Sequence, residues 1–169
     1  MNGADLTSTD QLADATTPAV AASGSATAVV RFAVNPALAI RVSPATLDLG
    51  AVSPEASASG THTVNVKSND TWSLRMKSVG RNGGDESPGE DAVFASGSGK
   101  TIPVGRMSWN VGTGTPAAVS DSDAALLAGQ LPTPHAGVDA LVNLTLAVQY
   151  SDPVATDYQT VLLYTVTQP

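Results

Sequence analysis

Val142-Asn143-Leu144-Thr145-Leu146-Ala147-Val148-Gln149-Tyr150 and, a little further on, Tyr158-Gln159-Thr160-Val161-Leu162-Leu163-Tyr164-Thr165-Val166 decide the fold class. In the first stretch every second residue is apolar and bulky, and in the second Tyr158, Leu162, Tyr164 and Val166 share one parity. A period of two is the signature of a strand with one face toward a core. With SDPVATD (151–157) between them, the two stretches read as an antiparallel hairpin. Working back, TWSLRMKS (71–78) sets Trp72, Leu74 and Met76 on one face and Ser73, Arg75 and Lys77 on the other. THTVNVK (61–67), LAIRV (38–42), TLDLG (46–50) and ATAVVRFAV (26–34) have the same strand character. TIPVGRMSW (101–109) does too, with Pro103 marking an edge or a bulge. AALLAGQL (124–131) reads as a strand rather than a helical turn, and a short AVF (92–94) stands among loop residues.

Many short strands, turn residues between them and no convincing amphipathic helix predict an all-β fold, an antiparallel immunoglobulin-like β-sandwich. Residues 1–25 are polar and rich in Ala and Thr, and are read as an extended N-terminal arm; the sandwich is assigned to 26–169. No repeat of 20–50 residues occurs.

The 169 residues are 42% hydrophobic but only 14% charged, with no cysteine. The lack of cysteine removes disulfide scaffolds, thiolate metal centres and cysteine nucleophiles. Net charge is −7, and every Lys and Arg lies between Arg31 and Arg106. Acidic ends around a near-neutral middle argue against nucleic acid and anionic membrane surfaces, which call for a basic stripe. No run approaches the ~20 apolar residues of a membrane span, so membrane insertion is not expected. The N-terminus lacks the positive and apolar segments of a signal peptide, which fits either a cytosolic product or a secreted chain numbered after processing. Low charge with abundant Ala, Val, Thr, Ser and Gly suits an extracellular or cell-surface bacterial protein.

Catalytic constellations are scarce. His62 and His135 are the whole imidazole supply, and both are read as surface or edge residues outside any Ser–His–Asp arrangement. SGSGKT (96–101) resembles the tail of a phosphate-binding loop, but Phe94 stands where its first Gly belongs and IPV follows instead of a helix. Asp85, Glu86, Glu90 and Asp91 crowd one loop, with Asp121 and Asp123 as a lesser pair; their spacing fits no calcium loop, and they read as solvated acids. Asn69 and Asn143 begin glycosylation-type triplets, the second in mid-strand. Neither a cofactor nor a metal is expected, and the chain is read as no enzyme. Trp72, Leu74, Tyr150, Tyr158, Tyr164 and Val166 are expected in the core, and Trp109 and Phe94 are candidates for a contact surface.

Two segments carry a resemblance. Thr71-Trp72-Ser73-Leu74 puts a Trp-x-Leu motif on a strand after a Ser-Asn-Asp turn, and the closing Tyr158 to Pro169 segment resembles the last strand of WxL-type domains of Gram-positive cell surfaces. Where that family carries a second Trp-x-Leu, this chain has Tyr164-Thr165-Val166. Ser43-Pro44-Ala45-Thr46-Leu47-Asp48-Leu49-Gly50 resembles the opening strands of bacterial immunoglobulin-like surface domains. The resemblance implies a secreted surface β-sandwich and, for WxL domains, non-covalent association with the cell wall. Two functions follow as expectations. One is a structural subunit of a surface assembly or fibre, self-associating as pilins do when one subunit donates a strand to the next, with the arm of residues 1–25 as the candidate donor. The other is a cell-wall or glycan-binding module.

Overall fold

The structure is a computed structural model and describes residues 28–83 and 90–169. The strands are β1 (Leu38–Ser43), β2 (Ser57–Ser68), β3 (Trp72–Ser78), β4 (Val93–Ala95), β5 (Thr101–Pro103), β6 (Met107–Val111), β7 (Ala117–Ala118), β8 (Ala124–Gln130), β9 (Val138–Ala147) and β10 (Leu162–Thr167). A 3-10 turn at Val104–Arg106 is the only helical element among the described residues. The strands form a five-stranded sheet, β1-β2-β9-β6-β7, a three-stranded sheet, β10-β3-β8, and a small β4-β5 ladder. Every pairing is antiparallel. The protein is therefore all-β, as the alternation predicts.

The two larger sheets face each other across one core. Val64 and Val66 of β2, Trp72, Leu74 and Met76 of β3, and Val142 and Leu144 of β9 are buried together. The expected inward face of β3 is the observed one: Trp72, Leu74 and Met76 are buried while Arg75 is exposed. Trp72 can bury its polar atom because its indole Nε1 donates to the Leu131 carbonyl at 2.9 Å. On β8 the register with β3 shifts on both sides of Leu74. Such a bulge turns one extra side chain, so the adjacent Leu126 and Leu127 both pack on the core.

The C-terminal hairpin does not form. β9 pairs with β2 and β6 in the larger sheet, and β10 pairs with β3 in the smaller one. Both strands point their apolar faces at the same core from opposite sides, which alternation alone cannot distinguish from two neighbours in one sheet. The link between them crosses from sheet to sheet, and basic residues hold it. Arg81 Nη1 donates to the Ala95 and Asp157 carbonyls at 2.8 Å each, and Lys100 Nζ donates to the Val154 carbonyl at 2.6 Å. Arg106 pairs with Asp152 at 3.1 Å. Tyr150 lies beyond the end of β9 and is exposed, contrary to its expected place in the core.

Two other expected strands are absent. Residues 46–50 are not in a sheet, although Leu47 and Leu49 still pack on the core. Of the expected strand at 26–34, residues 26 and 27 lie outside the described residues and 28–34 pair with nothing. All ten strands fall within the compact unit Val34–Pro169. The arm assigned to residues 1–25 lies outside the described residues.

Gly137, at the turn into β9, has φ +88°, and a Cβ there would stand 2.8 Å from the Val66 carbonyl oxygen. Gly137→Ala is expected to destabilise the fold by roughly 1–3 kcal/mol, through left-handed strain and overlap with backbone that cannot swing away. A urea midpoint equal to that of the parent protein would refute this.

Candidate functional site

The sequence marks no catalytic centre, and the structure places its few candidate groups apart. His135 is exposed in the turn after Pro134. The SGSGK segment is the turn between β4 and β5, closed by the Ser96 amide donating to the Lys100 carbonyl at 2.9 Å, and a strand follows it. Asp85 and Glu86 lie outside the described residues. Among those that are described, no three His, Cys, Asp or Glu side chains are grouped to hold a metal ion, and no helix is long and apolar enough to cross a membrane.

The expected contact aromatics are not a surface patch. Phe94 is buried in the core, opposite Ile102 on the β4-β5 ladder. Trp109 pairs with Leu144 on β9, so it shares that residue's inward face and is half-buried against the core. Its indole Nε1 is buried without an acceptor. Both residues flank loops in sequence, and the loops fold over them. Trp72, Leu74, Tyr158, Tyr164 and Val166 do pack on or in the core as expected.

What the fold leaves open is an edge. Directly opposed residues of an antiparallel pair share a face. Leu38, Ile40 and Val42 of β1 oppose Ser68, Val66 and Val64 of β2, so they belong to the core side of the larger sheet. Yet Leu38 and Ile40 are each 39% exposed, whereas Val66 is 0% exposed. The cause is the unequal width of the sheets. The smaller sheet ends at β10, and β10 lies over β2: Tyr164 reaches His62, and Gln168 Nε2 donates to Ser68 Oγ at 2.8 Å and to the Ala37 carbonyl at 3.1 Å. Among the described residues, no strand stands beside β10 to roof β1.

The polar groups of this edge can be assigned from the hydrogen bonds next to it. Val161 directs both its N–H and its C=O toward the β3 side, to Gly80 and Val79. Strand residues alternate in this respect, so the backbone groups of Leu162, Tyr164 and Val166 point to the open edge. Their side chains turn inward, opposite Ser78, Met76 and Leu74. Residues 45–52 close part of the gap, because Leu47 lies against Gly60. No described residue closes the part beside Leu38 and Ile40.

At the floor of the gap, His62 and Tyr164 meet edge to face, with ring centroids 5.3 Å apart, and share a hydrogen bond of 2.5 Å between Nε2 and Oη. His62 is buried rather than at the surface, contrary to the sequence expectation. The signal was its parity with Val64 and Val66. Burial lowers the His62 pKa and raises that of Tyr164, so the pair is neutral at pH 7. The unfolded chain accepts the imidazole proton as pH falls through about 6.5 while the folded one resists it. Stability is thus full above that pH and is lost on acidification toward the lower, folded value. The urea midpoint is expected to fall between pH 7.5 and 5, and His62→Gln should flatten that dependence. An unchanged slope in the variant would locate the titration elsewhere.

No protein-family model matches the chain, and no curated protein and no solved structure is significantly similar to it. The uncovered edge is therefore read from its own geometry.

Outside the sheets, one segment has matching character. Val29, Val30, Phe32 and Val34 are exposed, Phe32 at 85%. In AVVRFAV (28–34), Val30, Phe32 and Val34 share one parity and Val29, Arg31 and Ala33 the other. Contiguous exposed apolar side chains of this kind mark an interaction segment more often than a solvated one.

Proposed function

We propose that this protein is a non-catalytic structural subunit of a bacterial extracellular surface assembly, built on an immunoglobulin-like sandwich and self-associating through its N-terminal region. The observation that carries this reading is the exposed apolar run from Val29 to Val34, which reads as a strand and has no strand partner. Apolar side chains in water and backbone groups outside any ladder are two costs that association removes together. The low charge and the resemblance of the Trp72 and Tyr164 segments to cell-surface domains support an extracellular place. The competing reading, a wall- or glycan-binding module, relied on Phe94 and Trp109 as exposed aromatics, and their packing leaves it the weaker of the two.

The test is direct. Purified protein examined by multi-angle light scattering and negative-stain electron microscopy is expected to form concentration-dependent oligomers or filaments. A strict monomer that sediments with purified cell walls would favour the module instead.

A further inference from the structure

We infer that the open edge of β10, beside the uncovered Leu38 and Ile40, is the acceptor for the Val29–Val34 segment of a second copy of this chain. This rests on the self-association proposed above and adds to it both partners of the contact. The donor is residues 29–34, not the more N-terminal arm.

Two features of the two surfaces match. The first is the backbone: Tyr164 and Val166 direct their N–H and C=O groups outward from an edge that pairs with no strand among the described residues, and an extended segment supplies the complementary row. The second is the side-chain interval. Leu38, Ile40 and Val42 recur at every second residue of β1, as Val30, Phe32 and Val34 do in the donor. A strand added beside β10 lies over β1, so one face of it covers the core-side surface of Leu38 and Ile40.

A second copy, rather than the chain's own segment, is favoured by the chain direction. The C-terminal end of β10 and the N-terminal end of β1 lie together, since Gln168 donates to the Ala37 carbonyl. The junction is fastened: Asn69 Nδ2 donates to the Asn35 carbonyl at 2.9 Å and the Ala37 amide donates to Asn69 Oδ1 at 2.8 Å. To pair with its own β10, the segment would have to reverse within this fastened junction and run parallel to that strand. A segment from another copy is free to enter antiparallel, the pairing with the better hydrogen-bond geometry. Each copy then offers one donor and one acceptor at different places. Such a head-to-tail contact propagates into a fibre unless its rotation closes a ring.

The experiment uses the full chain and two variants whose changes fall on exposed or half-exposed residues. Phe32→Asp disables the donor, and Leu38→Lys with Ile40→Lys disables the acceptor. Circular dichroism spectra matching the parent confirm that each variant is folded. Each variant alone is expected to be monomeric by light scattering, and the two mixed should give a 1:1 heterodimer that grows no further. A synthetic peptide of residues 28–35, AVVRFAVN, should bind the Phe32→Asp protein and bind the Lys variant at least tenfold more weakly. If the parent assembles but the Lys variant still polymerises, the acceptor lies elsewhere; this inference fails while self-association stands. A parent that stays monomeric at all concentrations overturns both. A monomer whose residues 29–34 are protected from hydrogen exchange would show the segment closing on its own domain, and would overturn the exchange between copies.

Discussion

Trp72→Ala is expected to cost about 3–5 kcal/mol of folding free energy, the usual range for removing a large aromatic from a packed interior. Trp72 is 1% exposed and sits where β2 hands the chain to β3 in the opposite sheet. Its loss opens a cavity between the sheets and leaves the Leu131 carbonyl without the donor it has at 2.9 Å. A domain of this length has some 5–15 kcal/mol in total, so the variant should lose a large share of it. A fall in melting temperature of roughly 6–20 °C follows from the usual 2–4 °C per kcal/mol. Trp72→Phe, which keeps most of the apolar volume but not the N–H, should lie between the two. Far-UV circular dichroism in urea is the suitable readout, because the substitution removes one of the two tryptophans. A cost below 1 kcal/mol would mean that this residue is not the anchor between the sheets.

Arg106→Ala is expected to cost about 1.5–3 kcal/mol, the range for a hydrogen bond to a charged group. Asp152 has only 4% of its side chain exposed and accepts from Arg106 Nη2 at 3.1 Å, Arg106 Nε at 3.3 Å and the Gln149 amide at 2.8 Å. It is occluded by the turn that carries it rather than sunk deep in the core, so the lower range is used in place of that for a fully buried ion pair. Burial alone would raise the Asp152 pKa; the Gln149 amide and the Arg106 guanidinium outweigh it and hold the carboxyl below its ordinary value. A group depressed in this way stabilises the fold above about pH 3.9, and that contribution disappears as pH drops through the folded value. Removing Arg106 should therefore move the acid limb of the stability profile to higher pH. A double-mutant cycle with Asp152→Ala isolates the pair, and a coupling near zero would show that the link is held by its backbone contacts alone.

The pattern of basic residues in sequence takes on a meaning in the folded chain. Bases confined to the middle and acids alone in the last third first read as a bar to polyanion binding. The structure shows Arg81, Lys100 and Arg106 spent on the crossing link that contains Asp152 and Asp157. The link is what separates β9 from β10, so these contacts serve the sheet assignment itself.

The open edge was half legible. The Val29–Val34 run was plain in sequence, and its alternation led to a strand. Alternation reports that a segment has one apolar face, and says nothing of whether a partner for its backbone exists. The bareness of Leu38 and Ile40 could not be read, because nothing local to β1 shows how far the opposite sheet extends. Phe94, Trp109 and His62 were misplaced for related reasons. Each stands near loop residues or a strand end, and its burial depends on chain that arrives from elsewhere: Ile102 opposite Phe94, Leu144 beside Trp109 and Tyr164 against His62.

Local chemistry was enough for the class of protein and for most inward faces. Side chains at period two, Pro and Gly between the runs and the scarcity of strong helix signals act within a few residues of one another, so they can be read along the chain. Which strands become neighbours was settled only in three dimensions. Val64 meets Ala140, and Tyr164 meets Met76, across long stretches of sequence. Several pairings satisfy the same alternation, and only the joint packing of both sheets on one core selects among them and leaves β10 at an edge beside β1.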